Sequence, residues 1–449
     1  QLDVEGRVVF AAKSPETQAA ETAHLAEMQA KFAPFETTRA LDGTMVLDRF
    51  GREVKFVPFG FDYVADLQGK LERGGLIDAP TYGAWALRDV RQRLRQILRG
   101  EAVQMVLAIV GDSYTQKWDR YVGPLTEALW EQYGFAGVGY TSFGWFGPQA
   151  PIFYNGGTQP VGSDSGTTHG NPWAQTTYSG AWVRNYNWPS TGMPSISSVK
   201  SSTATNYLKI AVTKAGHDAA RLFYTGDGTA VIAVSWDDGA TYGANVNLST
   251  VGPSSVDLVG IPATTFTMRI KVVSGTVELG GIDFRSSVAG VRIHRLGGSG
   301  STAAQWANAG APWAAQINTL APHGLIIAHG TNDQTAGSTA AEMRGFVEAI
   351  ATEVLSQRTV DVMLTTPPEN NRTNNPIAMP EYALAHRASA YANGWAHLDY
   401  QLYFGPADNF GAAYANANPE RPWFSSDLVH PEPGFGIMDD ALARFITAA

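Results

Sequence analysis

The segment QMVLAIVGDSY, residues 104–114, indicates the fold class of the larger part of this chain. Its residues 105–110 form a continuous apolar run, which is the pattern of a strand that is covered on both faces. Gly111, Asp112 and Ser113 follow where that strand would end. Gly-Asp-Ser is common in turns, so this segment alone leaves two interpretations open. Ser113 is either part of an ordinary strand-to-helix turn or a nucleophile held on a rigid element.

Strand and helix patterns alternate in the last third of the chain. The runs GLIIAHG (324–330) and VDVMLTTPP (360–368) predict further buried strands, while residues 339–358 have the length and spacing of a helix. Strands that alternate with helices of this length indicate a parallel sheet with crossover helices. The sequence therefore predicts an α/β domain over residues 104–150 and 290–449.

Residues 151–289 have a different pattern. Short runs rich in β-branched and aromatic residues follow one another there, and turns such as Gly226–Gly228 and Asp237–Gly239 separate them. This pattern predicts an antiparallel β-sandwich inserted into a loop of the α/β domain. Such an insertion is tolerated because additional loop length costs little entropy and the insert folds on its own core.

Residues 1–103 differ from both of these parts. Residues 14–33 predict an Ala-rich helix with a thin apolar stripe, and two short strands are predicted around the Asp48–Gly51 turn. A second helix, over residues 84–99, carries an arginine run that we interpret as a solvated face. A thin apolar stripe needs a partner surface, so we expect this α+β segment to serve in oligomerisation or attachment.

The composition excludes several classes of partner. Acidic residues (41) outnumber basic ones (32), and a chain with net charge −9 is repelled by phosphate backbones, so we expect no nucleic-acid partner. The chain has no Cys, which excludes disulfides and thiolate metal sites. No apolar run approaches the roughly 20 residues that span a bilayer, and no metal-ligand spacing such as HExxH occurs. We therefore predict no membrane partner, no metal and no cofactor.

Four short polar blocks lie far apart in the chain. They are GDSY (111–114), GGSGST (297–302), GTND (330–333) and DLVH (427–430). The first three follow or flank predicted strand ends, where an open parallel sheet gathers its ligand site, and the fourth lies just before the last helix. Each block alone is ordinary turn or cap chemistry. Together, the four blocks need one explanation.

Taken together, these blocks resemble those of the SGNH hydrolases, the GDSL-type serine esterases, whose name records a Ser, a Gly, an Asn and a His in separate blocks. The resemblance implies a flavodoxin-like, three-layer α/β fold on a parallel sheet. By motif, it assigns the nucleophile to Ser113, the second-block glycine to Gly300 and the third-block asparagine to Asn332. It assigns the base to His430 and its orienting carboxylate to Asp427.

The resemblance covers the predicted α/β domain and does not extend to the first hundred residues. Tyr114 occupies a position where the family usually has Leu, and we expect a supporting role for it. The long separation between the first and second blocks is a larger departure. The inserted β-sandwich accounts for it.

The residue types suit ester hydrolysis by a covalent mechanism. A serine hydroxyl is a weak nucleophile until a base takes its proton, and the imidazole of His430 can do so near neutral pH. Asp427, three residues earlier, can reach the other imidazole nitrogen and stabilise imidazolium. The backbone N–H groups of Ser113 and Gly300 and the side-chain amide of Asn332 can then donate to the oxyanion that forms.

The other polar residues near these blocks have structural interpretations. His329 precedes the third block, and we expect it to belong to the core. His294 and His397 lie at or beside β runs and are expected to satisfy local hydrogen bonds. Asp112 and Asp333 flank predicted site residues, and we expect their carboxylates to hold turns by accepting backbone hydrogen bonds.

The aromatic residues of the insertion bear on the substrate. Flat rings near amide and hydroxyl groups pack against sugars, but the same rings also fill sandwich cores. The rings in question are Tyr154, Trp173, Trp182, Tyr186, Trp188, Tyr224 and Trp236. By resemblance, SGNH enzymes with β-sandwich insertions are often carbohydrate esterases, so we predict O-deacetylation of an acetylated polysaccharide or oligosaccharide.

Two other functions stay open. A lipase or thioesterase of the same family would prefer longer acyl esters, and a degenerate hydrolase would act as a non-catalytic, glycan-binding adhesin. The N-terminal segment also resembles the connecting regions of phage tail spikes and fibres. This second resemblance implies a homotrimer and an extracellular or virion-associated location.

Overall fold

The computed structural model describes residues 46–47, 53–54, 80–144, 158–161, 171–185, 192–370, 375–404, 429–431 and 434–447. The chain divides into two compact units, Gln1–Asp78 and Ala79–Ala449. In the first unit the described residues are two short strands, β1 (Val46–Leu47) and β2 (Glu53–Val54), which pair antiparallel as the sequence predicts. The helix predicted over residues 14–33 lies outside the described residues.

The second unit contains many strands and several long helices. Its described strands are β3 (Thr81–Tyr82), β4 (Gln104–Gly111), β5 (Gly139–Ser142), β6 (Thr158–Val161), β7 (Ala174–Ser179), β8 (Trp182–Asn185), β9 (Ser198–Ser201), β10 (Tyr207–Val212), β11 (Ala219–Asp227), β12 (Ala230–Ser235), β13 (Val246–Leu248), β14 (Val251–Leu258), β15 (Phe266–Ser274), β16 (Val277–Arg285), β17 (Gly290–Gly297), β18 (Gly324–Ala328), β19 (Asp361–Thr366) and β20 (Ala396–Asp399). Its described helices are α1 (Arg88–Leu98), α2 (Ser113–Gln116), α3 (Val122–Tyr133), α4 (Ala303–Ala307), α5 (Gly310–Leu320), α6 (Thr331–Ala336), α7 (Ala340–Gln357), α8 (Met379–Asn393), α9 (Gln401–Phe404) and α10 (Phe435–Thr447). Among these helices, none combines the length and the apolar character needed to cross a membrane.

A parallel sheet brings the predicted blocks together. Strands β17, β4, β18, β19 and β20 are neighbours in that order and all parallel, and β3 closes one edge antiparallel to β20. When the parallel strands are numbered by their order in the chain, they lie across the sheet as 2-1-3-4-5, which is the flavodoxin-like order. Gly111, the last residue of β4, pairs with Gly297 of β17 on one side and Ala328 of β18 on the other. The first three blocks therefore leave the sheet side by side at its carboxyl edge, where open α/β sheets bind ligands.

Helices cover both faces of this parallel sheet. Met105, Leu107 and Ile109 of β4 pack in one hydrophobic cluster with α1, α3 and α10, whereas Ala108 and Val110 join a second cluster with α4, α5, α7 and α8. Successive side chains of a strand point to opposite faces, so a strand between two helix layers has to be apolar at every position. The continuous apolar run of β4 meets that requirement.

Two antiparallel sheets are formed by the chain between β4 and β17. One has the described strand order β13-β12-β15-β10-β7, and the other has the order β14-β11-β16-β9-β8-β6, with β5 also paired to β16. The two sheets are in contact, since the ring centroids of Phe266 on β15 and Phe284 on β16 lie 5.7 Å apart. The second sheet also contacts a helix, because Nε2 of Gln316 on α5 donates to the carbonyl of Pro253 on β14 at 3.3 Å. The second unit is thus mixed α/β with several sheets, and not simply one parallel three-layer sheet.

Two boundaries differ from those drawn from the sequence. Strand β5 lies before residue 151, but it continues the antiparallel sheet by pairing with β16. Residues 80–98 belong with the second unit rather than with a segment ending at residue 103. Their strand β3 pairs with β20, and the apolar stripe of α1, with Val90 and Leu94, is buried against the parallel sheet. The apolar spacing of α1 predicts a partner surface but does not identify it.

The aromatic residues of the insertion separate into core and surface positions. Trp182 and Tyr224 are buried in the core of the antiparallel sheets, as the core interpretation predicts. Trp173 and Trp236 are half-buried at its margin. Tyr154, Tyr186 and Trp188 lie outside the described residues.

Candidate active site

Ser113 begins a short helix directly after the central strand. Asp112 caps α2, and its Oδ1 atom accepts a hydrogen bond from the backbone N–H of Tyr114 at 2.9 Å. Gly111 is required before it, because a Cβ atom there would lie 2.1 Å from Oγ1 of Thr115 and 2.8 Å from the Ala328 carbonyl oxygen. The close approach of β4 to β18 thus excludes side chains where the strand turns into α2. Ser113 is held on a rigid corner and is largely buried.

The imidazole of His430 faces the hydroxyl of Ser113. The distance from Ser113 Oγ to His430 Nε2 is 2.8 Å, although 317 residues separate the two positions. This is hydrogen-bond distance, and it is the arrangement in which a histidine can take the hydroxyl proton. Asp427, the predicted orienting carboxylate, lies outside the described residues.

A second buried group holds the backbone of Ser113. The Nη1 atom of Arg120 donates to the Ser113 carbonyl, and the Arg120 side chain is almost fully buried. Its guanidinium lies 5.4 Å from the ring centre of Phe435, the first residue of α10, which is a cation–π distance. Arg120 has no signature in the sequence, because nothing in the local pattern before α3 distinguishes it from a surface arginine.

The second block forms a tight loop against β4. The backbone N–H of Gly298 donates to the Gly111 carbonyl at 2.8 Å, and Oγ of Ser301 donates to the Gly298 carbonyl at 2.7 Å. Trp306 of α4 donates in turn from Nε1 to Ser301 Oγ at 2.9 Å. Gly300 has φ +80°, in the left-handed region that favours glycine. The loop therefore has one defined path beside the end of the nucleophile strand.

The third block is bonded to the second. Nδ2 of Asn332 donates to the Ser301 carbonyl at 3.0 Å, and Oδ1 of Asp333 accepts from the Ala303 backbone N–H at 2.8 Å. Gly330, at φ +144°, starts the turn that leads into α6. The predicted residues Gly300 and Asn332 are thus brought together through Ser301. The Asp333 carboxylate thus bonds the first residue of α4, directly after the second block, which is a longer-range role than the local turn role expected from the sequence.

Burial perturbs the titratable groups behind these blocks. Desolvation raises the pKa of Asp333 to about 7, and the nearby Asp112 carboxylate adds to this shift. Burial lowers the pKa of His329 to about 3, which keeps its imidazole neutral. The ring of His329 lies 5.8 Å from that of Trp306. A fully buried, neutral ring that faces another core ring fits the core role predicted for His329.

The other candidate histidines are also structural. Nε2 of His294 donates to the Leu320 carbonyl at 3.2 Å, and its Nδ1 accepts from the Tyr140 backbone N–H at 3.1 Å. The pKa of His294 is lowered to about 4 by burial. His397 is buried and bonds to the hydroxyl of Thr366 at 2.9 Å. Both residues satisfy local hydrogen bonds, as predicted. No group of three or more His, Asp or Glu side chains in the described ranges is arranged to hold a metal ion.

Comparison with solved structures finds proteins with similar folds. A peptidoglycan O-acetylesterase superposes with a TM-score of 0.60 at 15% identity, covering 80% of this chain and 97% of that one. A family two carbohydrate esterase from Cellvibrio japonicus has a TM-score of 0.25 at 14% identity, covering 65% of this chain and 99% of that one. A G-D-S-L family lipolytic protein from Desulfitobacterium hafniense has a TM-score of 0.29 at 17% identity, covering 34% and 81%. No family model and no curated protein sequence matches the chain. At 15% identity, the similarity to the peptidoglycan O-acetylesterase shows a shared fold.

Proposed function

We propose that this protein is a serine esterase that removes O-acetyl groups from a polysaccharide. The observation that carries the proposal is the 2.8 Å approach of His430 Nε2 to Ser113 Oγ at the carboxyl edge of the parallel sheet. A hydroxyl and an imidazole meet there, and the second-block loop bonds the end of the strand that carries the hydroxyl. This combination suits acyl transfer better than binding alone, because binding does not require a serine paired to a base.

The first half of the reaction transfers the acetyl group to the enzyme. His430 Nε2 takes the hydroxyl proton while Ser113 Oγ attacks the acetyl carbonyl carbon, and a tetrahedral oxyanion forms. The proton on Nε2 then passes to the sugar oxygen as its bond to the acyl carbon breaks. The deacetylated sugar leaves, and an acetyl ester remains on Ser113.

The second half of the reaction returns the enzyme to its starting state. His430 takes a proton from water, and the resulting hydroxide equivalent attacks the acetyl ester on Ser113. Acetate departs as the proton returns to Ser113 Oγ. We propose that Asp427 accepts a hydrogen bond from His430 Nδ1 throughout, which fixes the tautomer and stabilises imidazolium in both halves.

The oxyanion needs donors that are in place before the reaction. We assign this role to the backbone N–H groups of Ser113 and Gly300 and to the side-chain amide of Asn332. Asn332 has two amide hydrogens, and the bond to the Ser301 carbonyl uses one of them. The same bond holds the amide in one orientation before the reaction. A donor that does not have to reorient during the reaction stabilises the transition state best.

An acetylated glycan is the substrate class that we favour. A structure that superposes over 80% of this chain is named a peptidoglycan O-acetylesterase. This name supports an acetyl ester of a sugar as the substrate. The net charge of −9 argues against phosphate-rich substrates. We also propose that the two antiparallel sheets form an inserted β-sandwich that contributes to glycan binding.

The test measures acetate release from a panel of acetylated glycans by the wild-type protein, Ser113→Ala and the control Ser249→Ala. Ser249 is an exposed serine after β13, away from the parallel sheet. We expect Ser113→Ala to lose activity by roughly 10³- to 10⁶-fold and Ser249→Ala to match the wild type. Retained hydrolysis by Ser113→Ala would show that the site is wrong.

A second measurement separates the alternative functions. Initial rates with p-nitrophenyl acetate and p-nitrophenyl octanoate distinguish a deacetylase from a lipase or thioesterase. A tenfold preference for octanoate contradicts the glycan proposal. Glycan binding without hydrolysis by the wild type, unaffected in Ser113→Ala, supports the adhesin function instead.

The quaternary state and location remain predictions. The homotrimer and the extracellular or virion-associated location depend on the resemblance of residues 1–103 to tail-spike connecting regions. Most of these residues lie outside the described ones. Sedimentation equilibrium of the full chain tests the trimer, and a monomer at micromolar concentration contradicts it.

A further inference from the structure

Tyr114 connects the two halves of the proposed site. Its backbone N–H is bonded to Asp112, so it is fixed in the first turn of α2 next to Ser113. Its hydroxyl donates to the carbonyl of Val429, the residue that precedes His430. A single side chain therefore extends from the serine corner to the backbone that carries the imidazole.

The ring of Tyr114 makes two further contacts on the same side. It lies 5.5 Å from the ring of His430, with a 52° angle between the planes, and it meets Phe435 nearly edge-on at 5.6 Å. Edge-to-face contact at this distance is favourable between aromatic rings. Tyr114 thus contacts the residue before the imidazole, the imidazole itself and the first residue of α10.

The hydrogen bond from Tyr114 depends on this chain's departure from its family pattern. The SGNH resemblance places Leu at this position, and Leu has no hydroxyl to donate. A Leu side chain is also too short to reach the backbone that a tyrosine hydroxyl reaches. Neither the contact with Val429 nor its geometry follows from the family motif.

We propose that Tyr114 is a positioning residue that sets the distance between His430 Nε2 and Ser113 Oγ. The inference rests on the proposed function, because Tyr114 acts only through those two groups. A base must lie within about 2.6–3.2 Å of the proton it removes. A displacement of about 1 Å in such a site costs on the order of 10²-fold in rate. The tyrosine hydroxyl prevents that displacement by bonding the residue next to His430.

Tyr178 provides a matched control within the same chain. Its hydroxyl also donates to a backbone carbonyl, that of Phe143, at 2.7 Å, and Tyr178 is also buried. It lies on β7, in an antiparallel sheet and outside the parallel sheet that carries the site. Replacing either tyrosine by Phe removes one buried hydrogen bond to the main chain. A purely structural role predicts the same result for both replacements.

The experiment compares full-length Tyr114→Phe, Tyr114→Leu, Tyr178→Phe and Ser113→Ala with the wild type. Three quantities are measured: the melting temperature, kcat and KM for p-nitrophenyl acetate, and the rate constant for labelling of Ser113 by a fluorophosphonate. We expect Tyr114→Phe to lose roughly 10- to 100-fold in kcat and in labelling rate, with KM within about twofold of wild type. We expect Tyr178→Phe to show a similar shift in melting temperature with wild-type kinetics.

Each outcome bears on the inference. If Tyr114→Phe reacts with the fluorophosphonate as fast as Tyr178→Phe does, Tyr114 is only a core residue and the inference is overturned. Wild-type kinetics of Tyr114→Leu overturn it as well, and if that variant does not fold, Tyr114→Phe decides. If Ser113→Ala is inactive but Tyr114→Phe is not slowed, the inference alone fails. If Ser113→Ala keeps wild-type activity, both the proposed function and the inference fail.

Discussion

The side-chain amide of Asn332, in the first turn of α6, donates to the main-chain carbonyl of Ser301 in the second-block loop. This bond fixes the amide that we assign to the oxyanion. We predict that Asn332→Ala lowers kcat for p-nitrophenyl acetate by roughly 10²- to 10³-fold with a small change in KM, because the lost donor acts on the transition state. Asn247→Ala, at an exposed position on β13, serves as the control. Equal kcat values for the two variants contradict the assignment.

The pH dependence of stability should reveal Asp333. Its pKa is raised by burial to about 7 in the native state, whereas an unfolded aspartate titrates near 3.8. Between these two pKa values the native state holds a proton that the unfolded state has lost. The contribution of Asp333 to the free energy of unfolding is therefore highest below pH 3.8, and this contribution is lost as the pH rises through 7. We predict that Asp333→Asn, which does not titrate, gains roughly 2–4 kcal/mol in unfolding free energy relative to wild type between pH 4 and pH 8. Urea denaturation at the two pH values measures this difference, and a constant difference excludes the protonated carboxyl.

The buried histidines should produce the opposite dependence in acid. Burial lowers the pKa of His294 to about 4 and that of His329 and His386 to about 3. An unfolded histidine titrates near 6.5, so below that pH the unfolded state binds protons that the native state refuses. Stability should therefore be complete above pH 6.5 and fall steeply between pH 6.5 and pH 3. Urea midpoints in the Asp333→Asn background, where the opposing carboxyl is absent, measure the slope. A flat profile across this range is the contrary result.

The glycine at the end of β4 should not tolerate even a methyl group. A Cβ at Gly111 would lie within 3 Å of Thr115 and of the Ala328 backbone, so Gly111→Ala has to displace α2 or β18. We predict a loss of roughly 1–3 kcal/mol in unfolding free energy together with a loss of esterase activity. Gly345→Ala is the control, because a Cβ on this exposed face of α7 has no atom within 4 Å. That substitution should stabilise the protein by roughly 0.5–1 kcal/mol, since alanine is the better helix former.

The sequence predicts those features that depend on local pattern. The apolar run before Gly111 identifies β4 as a doubly covered strand, and the resemblance of four short blocks leads to Ser113 and His430, which the structure places in contact. The sequence does not identify the sheet to which β5 belongs, because four residues carry too little pattern to specify a partner. The sequence likewise does not identify the surface that covers α1. The apolar stripe of this helix predicts that Val90 and Leu94 are buried, but not which element buries them.

The supporting contacts of the site are harder to predict than its named residues. Arg120 bonds the Ser113 carbonyl, and Tyr114 bonds the Val429 carbonyl, yet neither pairing has a signature in sequence. The tyrosine bond joins residues 315 positions apart, and the arginine bond, although only seven positions apart, depends on how the chain turns between α2 and α3. Residue type alone gives a buried arginine and a surface arginine the same appearance. Such contacts become visible only once the elements are packed.

The adjacency of β4 and β17 has a consequence for how the protein is synthesised. Gly298 and Gly111 bond directly through the main chain although they flank the whole insertion, and both antiparallel sheets lie in the chain between them. During translation, β4 leaves the ribosome long before β17 and has to wait for its neighbour. Contacts of such long range slow folding and leave an apolar strand without cover in the meantime. Substitutions that delay folding of the antiparallel sheets should therefore reduce the yield of folded protein, even though they leave every residue of the candidate site unchanged.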